Sequence, residues 1–254
     1  IHSGAGGIGL AAIQMAQSIG AEIFATAGSE TKRDYLKSLG VDHVMDSRSL
    51  DFAKEVMKIT DGEGIDVILN ALAGEYIPTS LELLRPFGRF VEIGKKDVFA
   101  NYKLGLFPFR RNLSYFCVDL GQLGMFKKAE FRERFGNLMQ KFAMGDLYPS
   151  PVRTFPLSEI GEGFKLVAQA KHIGKVVFSV SAAKGGDEER LERFLTEYGK
   201  GIPVQEGLDM LSRLISSDET PHYLLVSGDP VGVGDTPERF EANQNKIRPV
   251  DTIY

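Results

Sequence analysis

The sequence is poor in the residues that staple or metallate small folds. It holds one cysteine, Cys117, four histidines and no tryptophan in 254 residues. A single thiol permits no intrachain disulfide and no cysteine-rich zinc site, which fits a reducing compartment, so the cytoplasm is the expected location. His2, His43, His172 and His222 lack metal-ligand spacing to carboxylates or to Cys117, so no catalytic zinc is expected. Positive charge is not in excess either: 30 Lys and Arg stand against 34 Asp and Glu, a formal net charge of -4. No basic surplus exists to release counterions from a nucleic-acid backbone, which disfavours that class of partner. Long apolar runs are also missing. Nothing reaches the length of a bilayer span, and the first residues lack the charged and apolar regions of a signal peptide, so the chain is expected to open at a truncation or domain boundary.

What is present is ordinary globular material, 43% hydrophobic and 25% charged, enough to bury a core. Up to about residue 95, short apolar runs alternate with segments of helical spacing: "AEIFATA", "ETKRDYLKSLG", "HVMD", "SLDFAKEVMKIT", "IDVILN", "IPTSLELLR", "GRFVEIG". This alternation predicts βαβ units and a doubly wound parallel sheet, and the continuously apolar strands predict a sheet covered on both faces. A connection over residues 96–112 leads to a further strand, "LSYFCVDL", and to helical "FRERFGNLMQKFAMG". The expected division is a dinucleotide-binding domain over residues 1–148, a return segment with one amphipathic helix and a closing strand over 149–181, and a linker with a helix-strand extension over 182–254.

The strongest motif is at the start. In "IHSGAGGIGLAAIQMAQSIG", Gly4, Gly6 and Gly9 fall at G-x-G-x-x-G spacing, with Gly7 and Ile8 inside the motif, between a strand remnant and a helical run. Glycines allow a tight turn and close backbone approach to a pyrophosphate, and the helix N-terminus presents N–H groups and a favourable dipole. A dinucleotide site specific for NAD carries an acid at the tip of the second strand. Here that tip reads Ala27-Gly28-Ser29, followed by Lys32 and Arg33. A small hydroxyl residue with two cations suits a 2'-phosphate, which selects NADPH; the other reading is a solvated first helical turn balanced by Glu30 and Asp34. Arg48 at the end of the third strand is a candidate for the adenine face, with Ser47 or Ser49 as alternative helix caps. Asn70 at the end of "VILNALAG" is placed for the cofactor ribose or as a cap. Lys95 follows a strand end at the carboxyl edge, where open α/β sheets bind ligands; Lys96 beside it is chemically equivalent, and either is also a plausible surface lysine. Asp119 reads equally as a functional carboxylate or a helix cap.

Taken in order, the glycine turn, "FATAGSETKR", "VILNALAG", "GRFVEIGKKD" and "AKHIGKVVFSV" resemble the zinc-free medium-chain dehydrogenase/reductase superfamily. More narrowly they resemble the enoyl reductase domains of polyketide synthases and of animal-type fatty acid synthase, over about residues 1–180. The resemblance implies a Rossmann nucleotide-binding domain set between two pieces of a GroES-like substrate domain, of which only the return segment remains here. It implies NADPH-dependent reduction of the α,β double bond of an enoyl thioester on an acyl carrier protein, beside neighbouring ketoreductase and dehydratase domains. Of the two lysines it selects Lys95 as proton donor, with Asp119 orienting it. It also places Gly94 and Lys171 near the cofactor, Lys171 and Lys175 flanking a glycine turn. Residues from about 201 to 230 resemble, more faintly, the last helix and strand of a polyketide ketoreductase domain; a docking helix or interdomain scaffold is the other reading. Rival functions are a free-standing quinone or enone reductase of the same superfamily, and a non-catalytic NADPH-binding structural module.

Overall fold

A computed structural model describes residues 1–179 and 223–226. In chain order the described elements are α1 (Gly7–Ser18), β1 (Phe24–Ala27), α2 (Glu30–Ser38), β2 (His43–Asp46), α3 (Phe52–Ile59), β3 (Ile65–Asn70), α4 (Tyr76–Glu82), β4 (Leu84–Glu92), α5 (Lys96–Phe99), β5 (Ser114–Cys117), α6 (Leu120–Phe126), α7 (Lys128–Met144), β6 (Val152–Pro156), α8 (Ile160–Ala168), β7 (Lys175–Ser179) and β8 (Tyr223–Val226). The connection between α5 and β5 carries a 3-10 turn over Phe107–Arg111. Among the described residues no helix is long and apolar enough to cross a membrane.

The parallel order follows from the βαβ pattern. β1 pairs parallel with β2, Phe24 opposite His43. β3 pairs parallel with β4, and β4 with β5. Residues 1–4 join these two ladders: the Ile1 carbonyl accepts from the Thr26 N–H (3.0 Å), the Gly4 N–H donates to the Thr26 carbonyl (2.9 Å), and the His2 N–H donates to the Leu69 carbonyl (3.0 Å). The strand sequence therefore runs β2, β1, residues 1–4, β3, β4, β5. The chain leaves this central segment to one side first and crosses to the other at β3. That reversal puts the glycine turn at the switch point of the sheet.

Two apolar clusters hold the sheet. One gathers Leu10 and Ile13 of α1, Ala25 of β1 and Leu36 of α2; the other gathers Phe52 and Val56 of α3, Ile68 of β3, Leu81 of α4 and Phe90 of β4. Helical spacing explains both, since Phe52 and Val56 are four apart and so are Ile77 and Leu81. Cover on both faces does not extend across the sheet, contrary to the expectation from apolar strands. Val67 of β3, Phe116 of β5 and Val118 beyond it are exposed. Among the described residues β5 has β4 as its one ladder partner and its pattern is mostly exposed, so the apolar run here is an edge of the described sheet.

The chain divides into two compact units, Ile1–Arg153 with His172–Lys175, and Thr154–Lys171 with Val176–Tyr254. In the second unit α8 buries Ile160, Gly163 and Val167. A three-stranded sheet has the order β6, β7, β8, and β7 pairs antiparallel with β8, Val176 opposite Val226. The expected C-terminal strand is thus present at Tyr223–Val226; the expected helix preceding it lies outside the described residues.

Candidate dinucleotide and proton-donor site

Every strand of the first unit delivers candidate residues at its carboxyl end. Gly4 precedes the turn, Gly6 occupies the N-cap of α1 with extended backbone, and Gly7, Ile8 and Gly9 form the first helical turn. No side chain caps this helix. Its first N–H groups and the positive end of its dipole are therefore left to an anion. Gly9 is required by close approach: a Cβ there would lie 2.5 Å from the Ser3 carbonyl oxygen and 2.6 Å from that of Gly4. Lys175, in the same unit, lays its aliphatic chain across Gly7. Lys171 belongs to the second unit, where its N–H closes a turn onto the Leu166 carbonyl (3.1 Å).

At the tips of β1 and β2 the cations gather. Ser29 caps α2, its Oγ accepting from the Lys32 N–H at 3.4 Å. Arg33 bonds the Ala27 carbonyl and pairs with Asp46 (both 3.2 Å). Arg48 Nε donates to the Gly28 carbonyl (3.1 Å). Burial and then the charge of Arg48 push the Lys32 ammonium below its usual value. Two cations that oppose each other in this way form a site that gains from an added anion. Neither Ser47 nor Ser49 caps α3, where Asp51 holds the N-cap position; Ser49 Oγ bonds the Asp51 carboxylate instead, at 3.0 Å.

β3, β4 and β5 end on a polar cluster. Asn70, fully buried, donates from Nδ2 to the Leu72 carbonyl (2.7 Å) and to Glu92 Oε2 (2.6 Å), and accepts from the Leu72 N–H (3.2 Å). It caps no helix, since Glu75 stands at the N-cap of α4. Lys95 Nζ lies 2.8 Å from Asp119 Oδ2, with the lysine half exposed and the aspartate at 22%. Lys96 forms no ion pair among the described residues, so geometry separates two lysines that residue chemistry leaves equal. Asp119 also caps α6, its Oδ1 accepting from the N–H groups of Gly121 (2.8 Å) and Gln122 (3.3 Å). The cap reading is realised, and the same carboxylate also carries the ion pair with Lys95. The Lys95 ammonium first, then the Gln122 and Gly121 amides, hold this carboxyl below its ordinary range against the opposing effect of partial burial.

Sequence reasoning missed Glu92, 1% exposed beneath this cluster. The signal for Glu92 was available: period-two alternation puts it on the face of Phe90, which is buried. Cys117, beside Asp119 and Lys95, is exposed, and its thiol is pushed up by partial burial and by Glu92. A cleft of about 980 Å³ opens at the opposite edge of the sheet, near Ile19, Phe24, Ile59 and Ile65, and includes none of the sequence candidates. Among the described residues no three of His, Cys, Asp and Glu group as metal ligands.

Comparison with known proteins shows the family. The family model described as zinc-binding dehydrogenase matches residues 7–139. The nucleotide-binding subdomain of the enoylreductase domain of PpsC from Mycobacterium tuberculosis is 47% identical, with a TM-score of 0.56 over 59% of this chain and 83% of that one. This chain belongs to the zinc-binding dehydrogenase family, among the enoyl reductase domains of polyketide synthases. Within that family, the CurK enoyl reductase is 46% identical with a TM-score of 0.61, over 70% of this chain and 52% of that one. The phthioceranic/hydroxyphthioceranic acid synthase of Mycobacterium tuberculosis is 47% identical over 181 residues, 71% of this chain. The chain spans about 8% of the length of that relative. The stretch that this chain matches is thus a small part of a far longer synthase.

Proposed function

We propose that this chain is the cofactor half of an NADPH-dependent enoyl reductase, which reduces the α,β double bond of an enoyl thioester carried on an acyl carrier protein. The observation that carries the reading is the Lys95–Asp119 pair at the carboxyl ends of β4 and β5, on the same sheet edge as an uncapped glycine turn. Fit to the dinucleotide rests on this chain's own groups. The first turn of α1 takes the pyrophosphate, Lys32, Arg33 and Arg48 around Ser29 take the 2'-phosphate, and Asn70 and Gly94 line the route towards the nicotinamide.

NADPH supplies the hydride for the β carbon. The residues then have two tasks: to stabilise negative charge growing on the thioester oxygen and to deliver a proton to the α carbon. Lys95 serves the second, giving its Nζ proton to the α carbon of the enolate. Asp119 orients the ammonium, and its own position is fixed because α6 holds its other oxygen. Neighbouring ketoreductase and dehydratase domains supply the enoyl substrate, and the synthase works in the cytoplasm.

The test is NADPH oxidation with a crotonyl thioester by the reductase domain containing this chain. Lys95→Ala and Asp119→Ala are each expected to lower kcat by about 10²-fold or more, the range of a lost proton donor. An unchanged rate in the double variant would remove the catalytic assignment. Turnover of small quinones with none of thioesters would favour a quinone reductase instead.

A further inference from the structure

Glu92 is the most deeply buried acid of the first unit and has no part in the chemistry above. It ends β4, 1% exposed, and its carboxylate is divided between two turns. Oε1 accepts from the Gly94 N–H and Oε2 from Asn70 Nδ2, each at 2.6 Å. Asn70 in turn closes residues 70–72 through two bonds with Leu72. Gly94 is adjacent to Lys95 in sequence and has no room for a side chain: a Cβ would lie 2.8 Å from Glu92 Oε1. Tyr115 of β5 lies beside the group, its phenol pushed up to about 12 by burial and then by the Glu92 charge. Burying a carboxylate is costly unless its acceptor sites are used, and here both oxygens are used to tie two loops together. A strand end meant only to pack would carry an apolar residue, as Phe90 does two positions earlier.

We propose that Glu92 is a positioning residue that clamps the turn of residues 70–72 to the turn bearing Gly94 and Lys95, and so shapes the seat of the nicotinamide half of the dinucleotide. This rests on the NADPH reading given above. The adenine half is seated by other groups, Ser29, Lys32 and Arg48, which follow β1 and β2, whereas Glu92 ends β4. The clamp therefore acts on one end of the cofactor.

Two probes separate the ends: NADPH, and 2'-phospho-ADP-ribose, which lacks the nicotinamide. Dissociation constants are measured for the whole chain and for Glu92→Gln and Glu92→Leu, with circular dichroism reporting the fold. Glu92→Gln keeps one acceptor and Glu92→Leu keeps none. NADPH affinity is expected to fall several-fold in the first and by about tenfold in the second, the scale of one lost charged hydrogen bond. Affinity for 2'-phospho-ADP-ribose is expected to stay within about twofold, a shift too small to count as a lost contact. If the leucine variant does not fold, Gly94→Ala displaces the same oxygen from outside and is expected to reproduce the selective loss. Equal weakening of both probes, or of neither, overturns the positioning role. A native chain that binds neither probe overturns the NADPH reading, and the clamp proposal with it.

Discussion

At the scale of single residues the sharpest question is which charges select the cofactor. Lys32 and Arg48 repel one another across the tips of β1 and β2, while Arg33 is already engaged by Asp46. A 2'-phosphate relieves that repulsion, so Lys32→Ala and Arg48→Ala are each expected to weaken NADPH binding by about tenfold or more. NADH binding should change little, and fluorescence titration with both nucleotides reads the ratio. Equal losses for the two nucleotides would place these cations outside the 2'-phosphate site. The residue types at this tip were legible in "AGSETKR". Their partners were not, because Arg48 is 20 positions from Gly28 and only the β1–β2 pairing brings them together.

At the scale of elements, two glycines decide how helices sit. Replacing a helical glycine by alanine ordinarily gains about 1 kcal/mol. At Gly9 of α1 the added Cβ meets two backbone carbonyl oxygens, which have no rotamer to yield with. Gly9→Ala is therefore expected to cost about 2 kcal/mol net or more and to abolish NADPH binding. At Gly163 of α8 the added Cβ lies 2.5 Å from Cε1 of Phe178 and 3.3 Å from Cδ2 of Phe155. Those rings cluster with Phe164, Phe155–Phe178 tilted at 6.1 Å and Phe164–Phe178 stacked at 5.5 Å between centroids. A ring can move, so Gly163→Ala should be milder, about 1 kcal/mol destabilising, with nucleotide binding retained. Urea unfolding followed through both variants measures the two costs.

Element types were legible wherever a helical or alternating period ran for eight residues or more, as in α2 and α3. Accessibility was less so. The "FRERFGNLMQKFAMG" period does form α7, yet none of its residues is buried among the described ones, Phe135 and Met144 included. A period states which residues share a face and not what meets that face.

At the scale of the whole first unit, His2 is the joint. It lies between the two parallel ladders, with Nδ1 3.0 Å from Thr26 Oγ1, Nε2 2.9 Å from Ser80 Oγ, and its ring edge-on to Phe52 at 5.0 Å. One imidazole thus links β1, α4 and α3. Burial lowers its pKa from 6.5 to about 3. A histidine depressed in the folded state binds its proton more readily when unfolded, so its contribution to stability is complete above pH 6.5 and is lost as pH falls towards 3. The loss is on the order of 4 kcal/mol over that interval. His2→Gln should flatten this limb of the stability curve in denaturant unfolding between pH 7 and 4. Parallel slopes in variant and native chain would assign the acid sensitivity elsewhere.

What the sequence determined by itself is the alternation of strands and helices up to about residue 95 and the glycine turn, because hydrophobic period and glycine spacing are properties of neighbours along the chain. The ion pair between Lys95 and Asp119, the cap that Asp119 also makes, the burial of Glu92 and the joint at His2 were decided only in three dimensions. Lys95 and Asp119 are 24 positions apart, and His2 and Ser80 are 78 apart. Such partners meet only when parallel strands align their carboxyl ends, and a local pattern carries no record of which strand lies beside which.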